Sequence, residues 1–129
     1  MPILDLKVSA AKTPALTRAI ADLLLDLTAG ILGKRRDLTA IAIGYVDPDD
    51  WIVGGEPLSA QGRSSFYLEI KITDESNTWE EKSRYIREVF AGFERLLGAL
   101  HEESYIHVHD VRAAAYGYGG LTQERRRYG

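Results

Sequence analysis

The chain repeats itself, and that constrains its fold more than any single motif. Shifted by about 65 residues, Ile41 falls on Ile106, Ile43 on Val108, Trp51 on Tyr116, and Gly54-Gly55 on Gly119-Gly120. In the first half, Ile3 to Val8 reads as a strand. Thr13 offers an N-cap and Pro14 a first helical position. Leu16, Ile20, Leu23, Leu24, Leu27 and Ile31 then recur at helical spacing, and Gly33 reads as the residue that ends the helix. After Lys34-Arg35-Arg36, Leu38 to Val46 reads as a buried strand, followed by an Asp-Pro turn and Trp51-Ile52-Val53-Gly54-Gly55. The second half runs the same way. Phe66 to Ile72 alternates as a strand, and Thr78 with Glu81 forms a capping box. Tyr85, Ile86, Val89, Phe90, Phe93, Leu96 and Leu97 give a helical apolar face; Tyr105 to Val111 is a strand, and Tyr116 to Gly120 closes the unit.

Two β-α-β units predict an α/β fold: one domain over 1–129, with pseudo-repeats 1–62 and 63–129, a four-stranded sheet and both helices on one face. Each helix is then a right-handed crossover between parallel strands. The strand residues Ile41, Ile43, Ile106 and Val108 exceed what one buried face needs, so the open face is expected to be covered by other subunits.

At 129 residues and 45% hydrophobic content, the chain is long enough to bury a core. A net charge of −3 argues against a nucleic-acid binder that works through a basic surface. With no cysteine there is neither a disulfide framework nor a thiolate site. No apolar run approaches the roughly 20 residues needed to span a bilayer. Asp5 and Lys7 interrupt the N-terminus before a signal-like stretch forms, so no membrane partner is expected and the cytoplasm is the expected location.

Met1-Pro2 carries the clearest chemical hint. If Met1 is trimmed, Pro2 presents a cyclic secondary amine at the terminus. An ordinary α-amino group titrates near ~8, and burial among apolar side chains lowers that value. A neutral secondary amine is both a base and a nucleophile. A retained Met1 would make the same nitrogen an amide without basicity.

An N-terminal proline opening a strand, two β-α-β units and a Gly-Gly hairpin after each resemble the tautomerase superfamily over nearly the whole chain. Trp51-Ile52-Val53-Gly54-Gly55-Glu56 is similar to the aromatic-x-x-Gly-Gly-Glu turn of 4-oxalocrotonate tautomerase, as are Ile86-Arg87-Glu88-Val89 and Tyr116 to Gly120 to its equivalent segments. The fused layout resembles macrophage migration inhibitory factor and the chloroacrylate dehalogenase branch. That resemblance implies a homotrimer with pockets near subunit boundaries and the Pro2 amine at the base of each. Tyr67 stands near where a second proline would fall, so one amine per chain is implied. Gly33-Lys34 matches the Gly-Lys of macrophage migration inhibitory factor, whose lysine lines the pocket; Tyr105 falls on its pocket tyrosine, and His107 on an asparagine. Lys12 stands where 4-oxalocrotonate tautomerase has a carboxylate-binding arginine, and Ala40 or a neighbour replaces its second arginine. Glu69, Lys71 and Thr73 do not reproduce the arginine pair of the dehalogenase branch.

The resemblance thus implies a cofactor-independent, metal-free tautomerase or isomerase of a small 2-oxo or enol carboxylic acid. Pro2 is its general base and Tyr105 the group that stabilises enolate charge. Lys34, Lys12 and Arg36 are candidate carboxylate ligands, with His107, Arg112 and Trp51 as further pocket residues. Each also has a plain structural reading. Lys34, Arg35 and Arg36 suit a helix C-terminus, Arg112 a solvated loop, Trp51 and Tyr116 packing at turns, and Arg125-Arg126-Arg127 a solvated tail. His107 and His109 share a strand face with no third metal ligand in view, His101 lying in a loop. Two alternatives stand beside the tautomerase: a hydratase-dehalogenase or decarboxylase of a 3-carbon acid using the same proline, and a non-catalytic trimeric binding module.

Overall fold

Strict alternation sets the first strand. In the computed structural model, which describes residues 2–128, β1 (Ile3–Val8) turns Leu4, Leu6 and Val8 fully inward and Ile3, Asp5 and Lys7 outward. Thr13 caps α1 (Pro14–Gly30), its hydroxyl accepting the Leu16 N–H at 3.0 Å. The helix ends at Gly30, earlier than Gly33 would place it. Ile31 keeps helical dihedrals and its N–H on the Leu27 carbonyl at 2.9 Å, so it and Leu32 continue into the core as the helix closes, and Gly33 supplies a φ of 68° in the turn beyond them. β2 (Ala40–Tyr45) then pairs parallel to β1, Leu4 on Ile41 and Leu6 on Ile43. It is shorter than the expected span because Leu38 lies in a 3-10 turn, Arg36–Leu38.

A hairpin of β3 (Ile52–Val53) and β4 (Glu56–Pro57) turns on Gly54 and Gly55, whose φ values of 64° and 84° suit a type I′ turn. The short α2 (Leu58–Gln61) follows, with the Leu58 N–H on the Trp51 carbonyl at 2.9 Å. The second unit repeats this closely. β5 (Phe66–Thr73) leads to α3 (Trp79–Leu97), whose Thr78–Glu81 capping box is formed in both directions. β6 (Tyr105–Val111) runs parallel to β5. β7 (Gly117–Tyr118) and β8 (Leu121–Thr122) turn on Gly119 and Gly120, at φ 62° and 82°, and lead into α4 (Gln123–Arg127). There the Gln123 N–H meets the Tyr116 carbonyl at 2.9 Å, the counterpart of Leu58 on Trp51.

The main sheet has the order β2-β1-β5-β6, with the two units joined by antiparallel pairing of β1 with β5. Both long helices cover one face, where their buried residues share a core with Leu4, Leu6, Val8, Phe66, Leu68, Ile70 and Ile72. The α3 face differs from expectation at two places: Ile86 and Leu96 are 39% and 36% exposed, while Gly92 is buried. Gly92 lets α3 approach α1 closely there, since a Cβ would lie 2.5 Å from a Leu23 methyl and that side chain would have to shift. Deeper between the helices, the Tyr85 hydroxyl and Thr28 Oγ1 share a hydrogen bond of 2.9 Å.

One expectation is corrected. Ile41, Ile43, Ile106 and Val108 all pack against the helix-covered core, on the same parity as Leu4 and Leu68. The open face instead carries Ile3, Asp5, Lys7, Tyr67, Glu69, Lys71, Tyr105, His107 and His109. An excess of apolar strand residues is therefore no argument for covering that face.

Burial pushes the Tyr85 phenol up to about 12, the Thr28 hydrogen bond opposing it. A raised folded pKa means the native state holds its proton where the unfolded chain has lost it, so stability falls as pH rises from about 10 towards 12. Tyr85→Phe should cost about 1 kcal/mol at neutral pH through the lost hydrogen bond. That deficit should shrink at alkaline pH, as read by urea denaturation at both pH values.

Candidate active site

Pro2 is buried at the start of β1, its carbonyl accepting the Ala40 N–H at 3.2 Å. Continuing the register past Ile3–Lys71 sets it opposite Ile72, one residue from the end of β5. Met1, on whose removal the free amine depends, lies outside the described residues. The loops at this end converge through side chains. Lys34 Nζ donates to Ser76 Oγ at 2.9 Å, and Ser76 Oγ donates to the Thr73 carbonyl at 2.5 Å. Asn77 Nδ2 reaches the Leu32 carbonyl at 2.9 Å, fastening the α1 exit to the β5–α3 turn. Thr73 Oγ1 and the Tyr116 hydroxyl share a 2.6 Å hydrogen bond that seats the β7–β8 hairpin at the same end. Burial lowers the Lys34 pKa, against the opposing pull of Glu81 and Asp110. Asp110 is itself paired with Lys82 at 2.8 Å.

The other predicted residues lie elsewhere in the chain. Tyr105 pairs with Tyr67, which pairs with Lys7, at the far end of β1. Four residues of strand separate Lys7 from Ile3, about 13 Å. Tyr105 and Trp51 there line a cavity of about 590 Å³ with Ile52, Val53, Gly54, Tyr67 and Glu103. The Tyr105 hydroxyl donates to Glu103, and that carboxylate raises the phenol pKa. Lys12 is exposed just before α1, also away from Pro2. Arg36 turns back to α1, where it pairs with Asp26 at 2.7 Å. Arg112 lines a separate depression with Asp74, Glu75, Glu124 and Arg127. Of the candidate ligands, Lys34 is the one fixed to the Pro2 end by side-chain hydrogen bonds.

His107 lies mid-sheet on the open face, stacked on His109 with ring centroids 3.8 Å apart. His109 Nε2 sits 4.0 Å from Glu69 Oε1. Glu69 also accepts the Tyr67 hydroxyl at 2.7 Å and Lys71 Nζ at 3.4 Å. Among the described residues there is no cluster of three or more His, Cys, Asp or Glu able to hold a metal ion. Nor is any helix among them long and apolar enough to cross a membrane.

The register also moves the second unit's counterpart of Pro2. Ile3 pairs with Ala40 and Tyr67 with Tyr105, so Ile3 corresponds to Tyr67 and Pro2 to Phe66, which is fully buried. Ser76, Thr73 and the Glu69 cluster did not stand out in the sequence. The one signal for Ser76 was its place just before the Thr78 cap.

No family model matches the sequence, and no curated protein matches it either. Solved structures do. A fused 4-OT wild-type symmetric trimer superposes with a TM-score of 0.82 at 19% identity, over 96% of this chain and 98% of that one. The protein Pt0534 inactivated by 2-oxo-3-pentynoate gives 0.81 at 11% identity, over 95% and 96%. A macrophage migration inhibitory factor-like protein from Entamoeba histolytica gives 0.76 at 16% identity, over 94% and 97%. The chain has the fold that these fused 4-OT and macrophage migration inhibitory factor-like structures share. Coverage on both sides is nearly complete, so the likeness extends over both β-α-β units and both hairpins.

The hydrogen bond to Glu69 raises the Tyr67 pKa and lowers that of the carboxylate, because it favours phenol with carboxylate over the reverse. Glu69→Gln should bring the Tyr67 pKa down, seen as earlier phenolate absorbance in an ultraviolet-monitored alkaline titration. An unshifted Tyr67 titration would exclude that coupling.

Proposed function

We propose that the protein is a tautomerase or isomerase of a small 2-oxo or enol carboxylic acid. With Met1 removed, Pro2 is its general base. The observation that carries this reading is the burial of Pro2 at the sheet end where Lys34 is held on Ser76. A buried amine near a fixed ammonium is disfavoured as a cation on two counts, desolvation and like-charge repulsion. The neutral nitrogen takes the enol hydroxyl proton and returns it to the adjacent carbon. The electron pair of the enolate forms the new C–H bond, so nothing is consumed and no cofactor is called for. Lys34 holds the carboxylate as a point charge.

Tyr105 cannot serve the Pro2 of its own chain, lying five strand residues, about 17 Å, along the strands from it across two strand pairings. In this reading a second copy supplies it, within a homotrimer. Support comes from the trimeric fused 4-OT structures that share the fold and from the exposure of Tyr105 at the rim of an open cavity.

Pro2→Ala should abolish ketonisation of phenylenolpyruvate while leaving the oligomer intact by size-exclusion chromatography; undiminished turnover would remove Pro2 from the mechanism. Tyr105→Phe should lower kcat by about 100-fold, the scale of a lost charge-stabilising donor. Mixed and reassembled, Pro2→Ala and Tyr105→Phe chains should recover part of the wild-type rate, since some sites then unite an intact Pro2 with an intact Tyr105. No recovery would place Tyr105 outside the partner's site.

A further inference from the structure

The far end of the sheet sets an anion inside an otherwise uncharged cavity. Trp51, Ile52, Val53, Tyr67 and Tyr105 bring aromatic and aliphatic surface to a space of about 590 Å³. Among the described residues, Glu103 is the one charged side chain that lines it. A space of that size takes a ring or a branched chain. Lys7 lines instead the adjoining cavity, where Asp50 stands with it.

Glu103 is placed by its backbone. Its N–H donates to His101 Nδ1 at 2.9 Å, and its carbonyl accepts the hydroxyl of the fully buried Ser65 at 2.9 Å. These bonds set the turn before β6 without calling on the side chain, which receives the Tyr105 hydroxyl. One phenol satisfies only part of what a carboxylate can accept and leaves its charge in place. An uncharged apolar group entering this cavity gains by burial. A carboxylate entering it loses hydration and meets a like charge where it needs a cation.

We propose that Glu103 determines substrate specificity: it excludes acids that carry a second carboxylate far from the reacting carbons, and selects monocarboxylic acids whose distal group is uncharged and apolar. This selectivity rests on the reading of a tautomerase whose Tyr105 comes from a second copy, and it names the substrate class for that site. One copy brings Lys34 to the substrate's own carboxylate; the other brings an aromatic wall and an anion. The composite site therefore suits a molecule charged at one end only, and repulsion does as much of the sorting as attraction.

The test compares 4-carboxyphenylenolpyruvate with its 4-carbamoyl counterpart, which matches it in size and differs in charge. On the full chain, kcat/KM is read for each, and calorimetry gives the affinities of the unreactive 3-arylpropanoates with the same para groups. The wild type should favour the carbamoyl compounds by about 10-fold in both measurements, the scale of like charges held close near a protein surface. Glu103→Gln, which keeps an acceptor for Tyr105, should largely erase that preference, and Glu103→Lys should invert it. Asp50→Asn, which removes an anion from the adjoining cavity, should leave the preference as it is and so separates Glu103 from a change in net charge. A wild type without the preference, or a preference unmoved by both Glu103 variants, would overturn the proposal. If the affinities follow Glu103 while no enol acid is ketonised, the selectivity stands and the tautomerase reading falls. If ketonisation needs Pro2 but both Glu103 variants discriminate as the wild type does, the selectivity alone falls.

Discussion

Everything in this fold turns on the antiparallel seam between β1 and β5. Leu4 faces Ile70, Leu6 faces Leu68 and Val8 faces Phe66, and all six side chains are fully buried. Burying an aliphatic or aromatic side chain of this size contributes about 1.5–3 kcal/mol each, so the seam is a large part of what holds the two β-α-β units together. Its direction matters as much as its strength. Within each unit the strands run parallel; because the seam is antiparallel, the two units face opposite ways. The start of the first unit, Pro2, therefore shares a sheet end with the second unit's hairpin, which Tyr116 ties to Thr73. The start of the second unit, Phe66, shares its end with the first unit's hairpin and Trp51.

The same seam sets up an electrostatic conflict on the open face. Asp5 and Glu69 are direct cross-strand partners there, and like charges in that position destabilise a sheet. Glu69 answers with the Tyr67 hydroxyl, the Lys71 ammonium and the nearby His109 imidazole, a network that lowers its pKa in spite of some desolvation. A face built this way is not greasy. Whatever covers it must meet charges and hydroxyls as well as Ile3 and Tyr105, which distinguishes it from a sheet face left bare for want of helices.

Much of this fold is local, and the local parts are legible in the sequence. The Thr78–Glu81 capping box, the Thr13 cap and the two Gly-Gly hairpins are each closed within a few residues, so their chemistry can be read directly. The candidate site is not local. Lys34 to Ser76 spans 42 residues and Thr73 to Tyr116 spans 43, contacts that no periodicity reports. Phase was the second difficulty. The number of apolar residues on four strands suits two covered faces, but Ile41, Ile43, Ile106 and Val108 fall on the helix side in the observed register. The end of α1 is legible to within a few residues: Ile31 keeps the helical spacing, dihedrals and N–H bond to Leu27, and Gly33 supplies the positive φ just beyond it.

The two ends of the sheet have come to differ in kind. One has a buried proline and a lysine held by a hydroxyl, with the α4 arginines beside it. The other has Phe66 at the place of the proline, and an aromatic cavity whose tyrosine is drawn onto a carboxylate. A buried phenyl ring has no lone pair to offer a proton, so the second end cannot perform the proposed chemistry however well its cavity is shaped. What it can offer is an aromatic wall and a hydroxyl. Because Glu103 raises the Tyr105 pKa, that hydroxyl remains a donor well into the alkaline range. In the proposed reading the proline at one end and the Tyr105 hydroxyl at the other are complementary halves of one site, and contact between copies is what would bring them together.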